Sequence, residues 1–310
     1  MSSSKLYSEL DLLNILISLC MQENNATNNI FFQEGYSISA IEQSIKLTKG
    51  DVKFDLLLWN KEKCICLAFE LKGLNASNLS NDQLERYWKI NWDEFLKLSN
   101  IDNDQNLTKC QALIGVNLKK APSVQEFISK NKYGFPILGV GVKAIEVFHN
   151  EVIDEQIAEK LKDTNVNIDV PFKYIYYDKD STLYDIASRL FVRIYALGKQ
   201  DINNLNLDKI IQECYCSIPN LHKIIGADVK KSVLTKVKKI LRLASNEELK
   251  DYLSWLPEKK VWQLSKIKSG SHYSTDKAYR DLSLKLLERL KKEPAEKKES
   301  YQQVTIFDII

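Results

Sequence analysis

Residues 52–72 constrain this chain more than any other stretch: VKFDLLLWN, the four residues KEKC, then ICLAFELK. Two apolar runs of strand length around a short polar turn predict a β-hairpin, with strands over 52–59 and 64–72 closed by Gly73. Strand side chains alternate between faces, so Glu70 and Lys72 emerge side by side, while Ile65, Leu67, Phe69 and Leu71 point the other way into a core. Asp55 sits among Phe54, Leu56, Leu57 and Leu58. Charged residues are rarely buried unless paired or ligating a metal. Two partners for Asp55 stand open: an ion pair with Lys72, or a hard cation shared with Glu70.

The segments around the hairpin alternate. A helix is expected over 5–23, with Leu6, Leu10, Leu13, Ile17 and Leu19 as its stripe, then extended segments near 30–33 and 39–48. After the hairpin, Asp82 reads as an N-cap with Glu85 as its capping-box partner. The helix it opens carries Leu84, Trp88, Trp92 and Phe95 as a buried stripe, and places Gln83 and Tyr87, four apart, on one face. Strand 111–118, helix 123–130, strands 136–142 and 144–148, helix 152–161 and strand 172–177 follow. From Asp180 every segment reads as helix: 183–197, 208–216, 227–243, 247–255 and 275–291. The pattern predicts an α/β domain over 1–180, a mixed sheet flanked by helices, then an all-α domain over 181–292. Residues 293–310 read as a flexible tail.

Charge divides the chain unevenly. Residues 1–100 hold 10 Lys+Arg against 13 Asp+Glu, and residues 226–292 hold 17 against 8. A basic C-terminal half suits an anionic polymer. Lys230, Lys231, Lys236, Lys238, Lys239 and Arg242 fall on one predicted helix able to track phosphates, and the segment 208–225 before it leaves a helix-turn-helix open. A solvated lysine-rich face is the plainer reading of the same residues. The cysteine pairs are C-x-C, without zinc spacing. With no signal-peptide pattern a reduced intracellular setting is expected, and the apolar run 10–21 is too short to cross a bilayer, so no membrane partner is expected. The three histidines are scattered, and no glycine-rich phosphate loop exists.

E-x-K occurs four times: at Glu70/Lys72, Glu248/Lys250, Glu258/Lys260 and Glu296/Lys298. Only the first ends a buried strand and follows an Asp-bearing one. Asp55, then Glu70-Leu71-Lys72, resembles the active-site signature of the PD-(D/E)XK nuclease superfamily. Gln83-Leu84-Glu85-Arg86-Tyr87 resembles the Q-x-x-x-Y element of its RecB-type branch. The resemblance covers about the first 180 residues and departs from the pattern at Phe54, where proline is usual. The cysteine cluster of the iron–sulfur relatives is absent. It implies a restriction-endonuclease-like fold and a DNA nuclease in which Asp55 and Glu70 hold Mg²⁺ or Mn²⁺. Lys72 would stabilise charge on the phosphorus, Gln83 and Tyr87 would position the pair or the strand, and Glu9 on the first helix is the candidate for a further acid. A restriction-type endonuclease and a non-catalytic DNA-binding adaptor are the alternatives.

The last residues turn apolar again after the charged stretch 292–302. Gln303, Ile306, Phe307, Ile309 and Ile310 resemble a sliding-clamp-binding peptide: an amide anchor and an apolar plug on a tether. A fold-back edge strand or an oligomer contact is the alternative for this segment.

Overall fold

The structure, a computed structural model, describes residues 6–22, 29–74, 79–99, 101, 108–162, 171–217 and 220–292. Gln303, Ile306, Phe307, Ile309 and Ile310 lie outside the described residues. The chain divides into two compact units, 1–179 with 215–232, and 180–214 with 233–310.

The first unit is α/β. Its elements run α1 (Glu9–Leu19), α2 (Ile30–Gln33), β1 (Ser37–Leu47), β2 (Gly50–Asn60), β3 (Ile65–Lys72), α3 (Asn81–Trp88), α4 (Trp92–Leu98), β4 (Lys109–Asn117), α5 (Ala121–Lys130), β5 (Ile137–Val140), β6 (Ile145–Phe148) and α6 (Glu155–Lys162). One six-stranded sheet in the order β1-β2-β3-β4-β5-β6 holds them together. The β1–β2, β2–β3 and β5–β6 pairs are antiparallel; β3–β4 and β4–β5 are parallel. The sheet is therefore mixed, and the predicted hairpin is β2–β3, with Leu56 opposite Phe69 and Asn60 opposite Ile65.

Every residue of β3 is buried, Glu70 and Lys72 included. An interior strand covered on both faces reads as a continuous apolar run, and that is why ICLAFELK does. On one face Phe54, Leu57, Ala68, Ile114 and Val116 form a core with Leu84 and Tyr87 of α3, Phe95 of α4 and Val124 and Ile128 of α5. On the other, Phe69 meets Phe31 of α2 edge to face at 6.0 Å.

Several elements differ from the sequence reading. Residues 30–33 are a turn of helix, because Phe31 packs on both Tyr36 and Phe69; a short apolar run does not distinguish helix from strand. The single helix expected from Asp82 is two. Ser80, not Asp82, caps α3 by accepting from Gln83 N, and Asn91 caps α4 by accepting from Glu94 N. The stripe is thereby broken, and Trp88 goes to the surface. Residues 172–177 make a single bridge, Ile175 to Cys216. Besides two bonds to the segment around Cys216, Tyr176 N to Tyr215 O and Ser217 N to Tyr174 O, their backbone is met by a buried side chain: Asn14 Oδ1 accepts from Tyr174 N (2.7 Å) and Ile175 N (2.8 Å), and Asn14 Nδ2 donates to Ile175 O (2.9 Å).

The second unit holds α7 (Leu183–Lys199), β7 (Asn204–Leu205), α8 (Leu207–Cys214), the later part of α9 (Ala227–Asn246), β8 (Leu253–Leu256), β9 (Val261–Leu264) and α10 (Tyr273–Lys292). It is mainly helical but carries a three-stranded sheet in the order β7-β9-β8. The helix predicted over 247–255 is in fact turn and strand, with Trp255 paired to Trp262. No tight helix-turn-helix joins α8 to α9. The intervening segment belongs to the first unit, where Ile225 bridges to Ile41 and Gly226 N donates to Ile41 O at 2.8 Å.

Candidate functional site

The site is built where β2 and β3 stop pairing. Their last antiparallel pair toward the site is Leu56 with Phe69. One residue on, Asp55 Oδ2 accepts from Leu71 N at 2.7 Å, so a side chain replaces the ladder bond that Leu71 would otherwise lack. The simple alternation of β2 also slips here. Val52, Phe54 and Leu57 all join the same core cluster, although 54 and 57 differ in parity. Facing Asp55 on β1, Glu42 has φ +48°, a left-handed conformation that L residues seldom adopt. The irregularity turns Asp55 toward Glu70.

Glu70 is the hub. Its Oε1 accepts from Lys72 Nζ at 2.6 Å and from Gln83 Nε2 at 2.6 Å; its Oε2 accepts from Tyr87 OH at 2.5 Å. Gln83 Nε2 also donates to Tyr87 Oη at 2.9 Å, tying the two α3 residues together. The Tyr87 ring stacks on Phe54 at 4.6 Å. Burial and the Glu70 carboxylate hold the Tyr87 phenol well above its usual pKa, so it remains a donor. The structure thus brings Asp55, Glu70, Lys72, Gln83 and Tyr87 together. Of the two partners left open for Asp55, the ion pair with Lys72 does not form, because Lys72 goes to Glu70.

The electrostatics follow from burial. Burial first, then the adjacent Glu70 charge, pushes the Asp55 carboxyl well above the carboxylate range, and the Leu71 hydrogen bond offsets only part. Burial works against the Lys72 ammonium, but Glu70, with Glu9 and Asp55, outweighs it and keeps Lys72 cationic. Glu9 is raised, by burial ahead of the opposing Lys72 charge. Its place is fixed from three sides. Ser8 caps α1 through a capping box with Asp11. Asn117 at the end of β4 clasps the Tyr7 backbone, accepting from its N–H at 2.6 Å and donating to its C=O at 2.9 Å. Gly73 lies so close beneath that a Cβ there would fall 2.4 Å from Glu9 N.

Two residues join the site without having been expected from the sequence. Lys53 Nζ pairs with Glu42 at 2.8 Å, and the Lys53 pKa is raised because Glu42, then Asp55 and Glu70, outweigh burial. The signal available was an acid at 42 inside the strand run Ala40–Ile45. The lysines proposed from sequence to meet DNA lie on α9, around a buried stripe of Val229, Val233, Val237, Ile240 and Leu241. Lys231, Lys238, Lys239 and Arg242 are exposed, with 231, 238 and 242 on one face by spacing. Lys230 instead turns inward and donates to Lys223 O at 3.1 Å, and Lys236 donates to Ser181 O at 2.8 Å.

Among the described residues no group of three or more His, Cys, Asp and Glu side chains is arranged to hold a metal ion. A magnesium ion needs fewer, since it takes one or two carboxylates and fills its shell with water and phosphate oxygens. Asp55 and Glu70 fit that requirement. They are hard oxygen donors whose mutual repulsion at Asp55 is offset only in part by the Leu71 hydrogen bond and Lys53, and a divalent cation would relieve it. No helix among the described residues is long and apolar enough to cross a membrane.

A family model described as the MJECL32 domain matches residues 8–132, from the start of α1 past the end of α5. The matched span contains Glu9, Glu42, Lys53, Asp55, Glu70, Lys72, Gln83 and Tyr87. No curated protein and no solved structure matches the chain.

Proposed function

We propose that this protein is a Mg²⁺-dependent DNA nuclease of the PD-(D/E)XK type. The observation that carries the reading is the Glu70 hub: one buried carboxylate held by Lys72, Gln83 and Tyr87 beside Asp55, a second buried carboxyl. Mg²⁺ or Mn²⁺, held by Asp55 and Glu70, would supply a bound water of lowered pKa and an electrophilic contact to the phosphodiester. Lys72 supplies a fixed positive charge where negative charge grows on the phosphate oxygens. Gln83 and Tyr87 orient Glu70, and Glu9, beside Lys72 at the end of β3, is a further acid within reach of the same site. The exposed Lys231, Lys238, Lys239 and Arg242 suit phosphate contacts along a bound strand. The tail, through Gln303, Ile306, Phe307, Ile309 and Ile310, is proposed to tether the enzyme to a sliding clamp, inside the cell at replication or repair intermediates.

One observation favours a second reading. Both Glu70 oxygens already carry protein donors, as in a purely structural polar cluster, and a DNA-binding adaptor on this fold would look the same. Cleavage of single-stranded, branched and duplex DNA with Mg²⁺ or Mn²⁺ decides between them. Asp55→Ala and Lys72→Ala should each abolish cleavage while DNA binding persists. A wild type that cuts none of these substrates would overturn the nuclease reading.

A further inference from the structure

Trp88 is the last residue of α3 and follows Tyr87 directly, yet the two environments are opposite. Tyr87 is 4 % exposed and Trp88 55 %. The exposed ring is nonetheless fixed. Tyr133 meets it at 6.1 Å and 61°, and Phe135 at 5.6 Å and 86°. Gly134 lies against it: a Cβ there would come within 3.3 Å of the ring and 2.9 Å of Asn150 Nδ2. The loop beneath is tied in place. His149 Nε2 donates to Tyr133 O (2.7 Å), Asn150 Nδ2 to Gly134 O (2.7 Å), and Tyr133 OH to Asn81 Oδ1 (3.2 Å). Holding a tryptophan rigid while leaving half of it in water gains little for folding, and suits a ring whose free face is covered by something flat.

The charges nearby say what. Lys130 and Lys132 stand three residues and one residue before Tyr133 in the chain, are exposed, and have no ion-pair partner among the described residues, whereas Lys89, next to Trp88, is taken up by Glu85. Flat aromatic surface beside unpaired ammonium groups matches a nucleobase and its phosphates. A folded protein partner would need a far broader apolar patch. We infer that Trp88 and Tyr133 form a stacking ledge for an unpaired base, which presents single-stranded or frayed DNA to the site at Asp55, Glu70 and Lys72. The inference rests on the nuclease reading for its ligand and adds the substrate class: bases inside a duplex are already stacked and cannot use the ledge.

The test is fluorescence anisotropy of the full-length protein with a labelled strand of about twenty nucleotides, single and as blunt duplex, in EDTA so that nothing is cut. Trp88→Ala should weaken the single strand about 5- to 150-fold, the range that one stacked base commands, and leave the duplex within about twofold. Trp88→Phe, which keeps a ring and controls for folding, should recover most of the loss. Unchanged single-strand binding in Trp88→Ala, equal loss on both substrates, no recovery in Trp88→Phe, or a wild type that binds no single strand would each overturn the ledge. So would sedimentation showing that Trp88 instead holds two copies of the chain together. Cleavage is scored separately. A wild type that needs Trp88 for single strands but cuts nothing with Mg²⁺ or Mn²⁺ overturns the nuclease reading and leaves the ledge standing.

Discussion

Replacing Tyr87 by phenylalanine removes one oxygen from the Glu70 hub and leaves the rest of the side chain in place. The stacking on Phe54 is retained, and no cavity larger than a hydroxyl opens. The hydroxyl has one proton and two acceptors in reach, Glu70 Oε2 at 2.5 Å and Lys53 O at 2.7 Å; the shorter contact and the negative charge assign it to Glu70. A hydrogen bond to a charged group contributes about 1.5–3 kcal/mol. The loss should therefore be about 2 kcal/mol, since Gln83 and Lys72 still hold Oε1. With a urea slope of about 2 kcal/mol per molar, the unfolding midpoint should fall by about 1 M. For a unit of this size the melting temperature should fall by about 4–8 °C. Measured without divalent metal, the effect must depend on the charge. In a Glu70→Gln background the amide presents its NH₂ toward Tyr87, whose proton then goes to Lys53 O, and Tyr87→Phe should cost only about 1 kcal/mol. A loss under about 0.5 kcal/mol in the wild type, or the same loss in both backgrounds, would refute a hub organised by the Glu70 charge.

Three further outcomes are expected. Asp55→Asn keeps an acceptor for Leu71 N but removes the charge beside Glu70. Because the Asp55 pKa is raised in the folded state, wild-type stability falls as pH rises from the ordinary carboxylate range through that raised value. In metal-free thermal melts the Asn variant should equal wild type at low pH and exceed it near neutrality, and Mg²⁺ should narrow the gap by stabilising wild type alone; a gap that shrinks with rising pH would contradict the sign. Gly73→Ala drives a Cβ to 2.4 Å from Glu9 N and 2.7 Å from Ser8 C, so it should cost at least about 1–3 kcal/mol and speed amide exchange across α1, whereas unchanged exchange would mean that the close approach is not maintained. Deleting 303–310 should abolish capture by an immobilised clamp without changing the melting temperature; retained capture would place the clamp contact elsewhere.

The hairpin and the mixed α/β class were legible in the sequence because they follow from local rules. Apolar runs of strand length around a polar turn have few alternatives, and a charged Glu-x-Lys at the end of such a run must be met by partners. Asp55, Glu70 and Lys72 could be named on that basis; spacing along one turn of helix put Gln83 and Tyr87 on one face, and the resemblance to the Q-x-x-x-Y element implied their place in the site. Which atom meets which was decided only by tertiary structure. Lys72 takes Glu70 rather than Asp55 because β2 and β3 stop pairing after Leu56 and Phe69, and pairing ends are set by neighbouring strands. Glu42 and Lys53 join the site through a left-handed residue on β1, which no periodicity announces. Trp88 reads as core in a continuous helix and becomes surface because two caps, Ser80 and Asn91, split that helix. The strand found over 253–256 likewise depends on β9, which supplies its ladder partners and is itself paired on its other edge by β7, some fifty residues earlier in the chain. Local spacing fixes which residues share a face; only long-range pairing fixes what that face meets.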